Sequence, residues 1–208
     1  MSRVTILAAL LGISAVAHAT TINAPSSLVG INTLAGENAY SWGISIAVPT
    51  GETITSAEID FTSVTLTAAN SSGAGYLYVD LLNSQKTGVT TVSDGDAPGD
   101  YWATQYSGKN ITSLSSTYFA SVNTTKNIDI TLDQTELAAL NSYVTAGAFN
   151  IGIDPDCHYS VGGLCLTYTC SPTPNNVPDG TTTAALLLLG LGGLELFRRQ
   201  FVAGQAKA

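Results

Sequence analysis

Residues 59–66 read Ile59-Asp60-Phe61-Thr62-Ser63-Val64-Thr65-Leu66. Ile59 and Phe61 share one parity and Val64 and Leu66 the other, so the apolar face slips once between them. A helix would repeat apolar positions every three to four residues. Alternation with one slip instead predicts a strand carrying a β-bulge near Thr62-Ser63. The same period of two recurs on both sides of this stretch. Trp42, Ile44, Ile46 and Val48 alternate with Ser41, Gly43 and Ser45. Ile128, Ile130 and Leu132 follow the rule, as do Phe149, Ile151 and Ile153, and a last strand runs from about Leu164 to Tyr168. Tyr76–Leu82 is apolar on both faces except at Asp80, which predicts a central strand.

One segment breaks the pattern. Asp133 and Glu136 have the spacing of a capping box, Leu137, Leu140 and Val144 then recur at helical spacing, and Gly147 suits a helix stop. Residues 20–176 hold 23 Thr and 18 Ser in 157 positions, and Thr, being β-branched, favours half-exposed strands. Six to nine short strands with Gly, Asn and Ser turns predict a single antiparallel β-sandwich, jelly-roll-like, with one short helix, over residues 20–170.

The two ends have different compositions. Arg3 precedes an apolar run from Val4 to Val16 that closes on Ala17-His18-Ala19, the small-x-small pattern of a secretory signal peptide. Residues 1–19 are therefore expected to be removed by signal peptidase. At the other end, a linker over 171–180 contains Val177-Pro178-Asp179-Gly180. An apolar run and the pair Arg198-Arg199 follow, and residues 181–199 read as a transmembrane helix with a basic cluster. Helical residues 181–197 would extend roughly 26 Å, slightly short of the ~30 Å hydrocarbon core. The positive-inside rule puts the arginines and the tail 200–208 in the cytoplasm, and the body outside.

This tripartite tail resembles the PEP-CTERM class of bacterial sorting signals, in particular its VPDSG-type variant, although the usual Ser between Asp179 and Gly180 is absent. The resemblance implies recognition by an exosortase, cleavage near the motif, and release to or attachment at the surface of a bacterium with an outer membrane. The transmembrane helix would then be a transient anchor. The segment Asp154-Pro155-Asp156-Cys157-His158 also resembles one found in exosortase-sorted β-sandwich proteins, which supports the fold and implies no activity.

Charge narrows the function. The whole chain carries −8, but residues 20–176 carry 3 Lys against 13 acids, or −10. Such a surface excludes nucleic acid, whose phosphates require Lys and Arg to displace counterions. Asp154, Asp156 and His158 alternate, so an extended backbone would put two carboxylates and an imidazole on one side, a set that could hold a metal ion; a simple Asp-Pro-Asp turn is the alternative. Asp94, Asp96 and Asp100 form a second acidic loop with the oxygen chemistry calcium prefers, and a solvated hairpin loop is its alternative. Export favours a disulfide, and Cys157 with Cys165 is the expected pair if Gly162-Gly163 makes a hairpin turn; Cys157 with Cys170 is the second choice.

Of the aromatic residues, Trp102 with Tyr101 is the first choice for a platform that stacks on sugar rings; Tyr76, Tyr78, Tyr106, Tyr118 and Tyr159 are further members of the set. Gly-x-Ser-x-Gly, phosphate-loop and dinucleotide patterns are lacking, so no enzymatic activity is expected. These features favour a structural or adhesive role in an exopolysaccharide matrix. A carbohydrate-binding module stabilised by calcium is the alternative.

Overall fold

The computed structural model describes residues 17–69, 75–95, 99–105 and 111–173. In chain order the elements are β1 His18–Asn23, β2 Gly30–Leu34, β3 Asn38–Ile44, β4 Glu52–Ala68, β5 Gly75–Leu82 and β6 Gly88–Ser93. Then come α1 Tyr101–Gln105, β7 Ile111–Phe119, β8 Thr125–Thr131, α2 Gln134–Thr145, β9 Phe149–Pro155, β10 His158–Val161 and β11 Gly163–Pro172. They form two antiparallel sheets packed as a sandwich, the fold class expected from the alternation.

The long strand β4 organises the first sheet. It pairs with β8 along one edge and with both β11 and β10 along the other. Gly163–Pro172 lies against Thr62 to Glu52, and His158–Ser160 lies against Ala68 to Thr65. Thus β10 and β11 run one after the other in the same direction along β4. Outside them lie β2, paired with β10, and β1, paired with β11.

The bulge falls where the sequence predicts it. The register of β4 with β8 slips between Phe61 and Val64, and Ser63 takes φ 50°, with its amide donating to Asn127 Oδ1 at 2.9 Å. Phe61, Val64 and Leu66 are consequently all fully buried. A Cβ on Gly162 would stand 2.9 Å from Ser63 Cβ, so a glycine is needed where β10 passes into β11 beside the bulge.

The second sheet has the order β6-β3-β9-β5-β7. Tyr40, Trp42 and Ile44 from β3, Leu77, Val79 and Leu81 from β5, and Phe149, Ile151 and Ile153 from β9 face the first sheet and share one core with Ile59, Phe61 and Leu66. Helix α2 links β8 to β9 across the sandwich. It begins with the expected capping box: Asp133 Oδ1 accepts from Glu136 N at 2.8 Å, and Glu136 Oε2 accepts from Asp133 N at 2.7 Å. It ends at Ala146, followed by Gly147 at φ 103°.

The outer side of the second sheet is not a simple solvent face. Ala39, Leu82 and Trp102 are buried there in a small separate core, with Val92, Tyr101 and Ile111 packed around it. The segment that carries α1 folds back over this side and makes it a third layer. Ser41, on the face opposite Trp42 and Ile44, is accordingly 4% exposed.

The expected leader lies largely outside the described residues, but β1 starts at His18, so cleavage after Ala19 would leave Thr20–Asn23 paired to Tyr168–Cys165. Val177, Pro178, Asp179, Gly180, the expected transmembrane helix, Arg198, Arg199 and the tail also lie outside the described residues. Among the described residues no helix is long and apolar enough to cross a membrane.

Candidate acidic site and sorting signal

On β5, Val79 and Leu81 enter the main core, so Asp80 must point to the outer side. It pairs in register with Gly152 of β9 and Ser113 of β7. Two residues beyond Gly152 on the same face is Asp154, opposite Tyr78. A Cβ on Gly152 would lie 2.8 Å from Trp102 Cδ1, so the indole rests directly on the glycine between the two aspartates. Both carboxylates are 0% exposed beneath this cover.

The covering segment is tied down by the acids themselves. Tyr101 N donates to Asp154 Oδ2 at 2.6 Å, Gly99 N donates to Asp156 Oδ1 at 3.2 Å, and Asp100 Oδ1 accepts from Ala103 N at 3.0 Å to cap α1. Asp156 is held next to β5 because its own amide donates to Tyr76 O at 3.0 Å. Asp100 stands next to Asp80, and Asp94 next to Asp154. The structure therefore joins the two acidic segments of the sequence into one cluster and adds Asp80. Asp96 lies outside the described residues.

Among the described residues, neither oxygen of Asp80 makes a hydrogen bond, and nor does Asp154 Oδ1. Ser113 lies near enough to Asp80 to favour its charged form, but without hydrogen-bond geometry. Among the described residues neither acid has a Lys or Arg ion-pair partner. Burial, reinforced by Asp100, pushes Asp80 up to about 8. Burial also raises Asp154 to about 8, with Asp94 and Asp100 adding to it and the Tyr101 amide opposing. Asp156 is raised chiefly by burial, and Tyr78 is pushed up to about 12 by burial and then by Asp156.

These shifts fix a pH dependence for the metal-free protein. The unfolded carboxyls lose their protons near the ordinary value of 3.8, whereas Asp80 and Asp154 hold theirs in the fold until about 8. Between these values the native state binds more protons, so stability falls as pH rises through the window. The melting temperature in chelator is expected to be higher at pH 5 than at pH 8 by on the order of 5 °C or more. A flat or rising profile would contradict the burial of these acids.

His158 is not part of this cluster. The chain leaves the second sheet after Pro155 and enters the first at His158, so Asp154 and His158 face outward on opposite sides of the sandwich. His158 Nδ1 accepts from Gly36 N at 3.2 Å. Cys157 fills the crossing point, where a Cβ on Gly36 would lie 2.9 Å from Cys157 Cα, and one on Gly75 would lie 2.7 Å from its Sγ. The alternation that groups Asp154, Asp156 and His158 holds only within one strand, and this segment changes sheets.

The same geometry overturns both cysteine pairings. Among the described residues, which include all three cysteines, no disulfide forms. Because β10 and β11 are successive rather than a hairpin, Cys157 and Cys165 lie on the order of 20 Å apart along β4, far beyond disulfide reach. Cys165 also faces outward, its Sγ donating to Asp60 Oδ2 at 3.7 Å, while Cys157 is buried. Cys170 is farther still, in register with Ile54 and His18. A trio of His18, Glu52 and Cys170 does bring ligand atoms within 4.8 Å of one another, but cleavage after Ala19 would remove His18.

Trp102 cannot be a sugar platform, being 3% exposed under the covering segment with Tyr101 packed edge-on at 5.1 Å. Tyr159 is fully buried, and Tyr106 lies outside the described residues. Among the described residues the exposed rings are Tyr76 at 39% and Tyr118 at 46%, cross-strand partners with centroids 5.0 Å apart. Tyr78 stacks on Tyr76 at 5.7 Å. Their sequence signal was the Tyr76-x-Tyr78 spacing on one strand face, but the pairing with Tyr118 needed the sheet register. A concavity of about 410 Å³ opens elsewhere, between α2 and the start of β4, with Glu52 as the one ionisable group in its lining.

The tail supplies the remaining evidence. Residues 176–201 match the VPDSG-CTERM motif. This is a PEP-CTERM-like exosortase sorting signal, as the order of Val177-Pro178-Asp179-Gly180, apolar run and arginines implied. A VPDSG-CTERM tail implies exosortase processing and a secreted or cell-surface destination for the body. Comparison with curated proteins gives no match for the chain.

Proposed function

We propose that the processed body is a non-catalytic adhesive or structural protein of an exopolysaccharide matrix. It would be exported past the inner membrane of a bacterium with an outer membrane and held briefly by the helix at 181–199. Signal peptidase and exosortase would cut at its two ends. The observation that carries the polysaccharide reading is the exposed pair Tyr118 and Tyr76, continued by the half-buried Tyr78, on the outer side of the second sheet. Clustered tyrosine rings offer apolar surface to the CH faces of a sugar, and rings held on rigid strands lose little entropy on binding. The strong negative charge of the body also favours a neutral glycan over an acidic one.

The test is binding of the processed protein to extracellular polysaccharide from the producing culture. Tyr76→Ala with Tyr118→Ala is expected to weaken binding roughly tenfold or more, from about 1.5 kcal/mol of lost stacking. Binding that survives the double change would move the site elsewhere. No binding by the unaltered protein would remove the adhesive reading.

A further inference from the structure

We propose that Asp80, Asp94, Asp100, Asp154 and Asp156 form one calcium site that fastens residues 94–95 and 99–101 to the outer side of the second sheet. The acids come from three separated parts of the chain: β5, the segment between β6 and α1, and the end of β9. The fold spends backbone hydrogen bonds to hold two of these parts together, through Tyr101 to Asp154 and Gly99 to Asp156.

The decisive observation is Asp80. It is 0% exposed and, among the described residues, neither of its oxygens is hydrogen-bonded and its charged neighbours on the outer face are Asp100 and Asp154 rather than a cation. A buried carboxylate with no partner is costly, and placing a second one beside it costs more. A divalent ion between them removes both costs. The donors are hard oxygens only, with His158 and the thiols placed elsewhere, so the set suits calcium rather than zinc or copper. Magnesium is the poorer fit, since it keeps most of its water and takes few protein carboxylates. The competing account is that Asp80 with Asp100, and Asp154 with Asp94, simply share protons.

The experiment uses the processed protein purified after export, stripped with chelator and held at pH 8. Calcium at a hundredfold excess over its Kd is expected to raise the melting temperature by on the order of 5–10 °C, and magnesium by far less. Terbium, a calcium surrogate, is expected to bind and emit on excitation of Trp102, which lies over Gly152 between Asp80 and Asp154. Calcium should quench that emission by displacement.

Asp80→Asn is expected to abolish the terbium signal and the calcium shift. It should not lower the melting temperature in chelator, because it removes an unpartnered charge. That combination separates loss of the site from loss of the fold. Asp129→Asn, an exposed acid on β8, should leave both responses intact. Absence of a calcium shift and of terbium emission leaves only proton sharing and overturns the proposal. So does a shift that persists in Asp80→Asn. The variant lacking Tyr76 and Tyr118 rings should keep the calcium response, so failure of the glycan reading is distinguishable from failure of this one.

Discussion

Phe61→Ala is expected to destabilise the sandwich by roughly 3–5 kcal/mol, the range for a buried phenylalanine that leaves a cavity. Phe61 is 0% exposed and sits on β4 between Ile128 of β8 and Leu164 of β11. It is the last core residue before the bulge, so its neighbours are fixed on both sides and cannot easily close the void. The bulge lets Val64 and Leu66 follow it into the same core. Urea unfolding measures the effect: the midpoint should fall while the m-value stays the same. A loss below about 1 kcal/mol would mean that the site collapses freely, and that the bulge does not lock the register.

Gly43→Ala should be comparably damaging for the opposite reason. A Cβ there would lie 1.7 Å from the carbonyl oxygen of Lys86, 2.7 Å from its carbonyl carbon and 2.9 Å from Thr87 Cα. The obstacles are backbone atoms just before β6, so no side-chain rotation relieves the clash. Either β6 unpairs from β3 or the whole 83–87 connection moves. Overpacking costs typically about 1–3 kcal/mol and more when backbone must shift, so a loss of on the order of 3 kcal/mol or more is expected. Serine at position 43 should be as poor as alanine. Near-normal urea stability of the alanine variant would show that this connection is not seated on β3.

The two residues differ in how readable they were. Phe61 belongs to a local pattern, because alternation and the parity change at Thr62-Ser63 place it in a core without knowledge of any partner. The capping box of Asp133 and Glu136 is legible for the same reason, since its hydrogen bonds close within one turn. Gly43 shows the limit. Alternation puts it with Ser41 on a polar face, which is right about the face and silent about the chain folded over it. Trp102 fails likewise: an aromatic beside an acidic loop looks exposed until the loop lies down on Gly152.

The acidic site divides along the same line. Asp94 with Asp100, and Asp154 with Asp156, each stand out as short acidic strings, but their union depends on which face of which sheet each string reaches. Asp80 looked like an isolated exception in an apolar strand, and its meaning came from the register opposite Gly152. By itself the sequence determined the period of the strands, the bulge, the helix cap and the sorting signal, all written in contiguous residues. Only the tertiary structure decided that β10 and β11 run on rather than turn back, that His158 and the cysteines part company, and that five aspartates meet. Those outcomes depend on pairing between segments tens of residues apart, and local alternation specifies a face without specifying its neighbour.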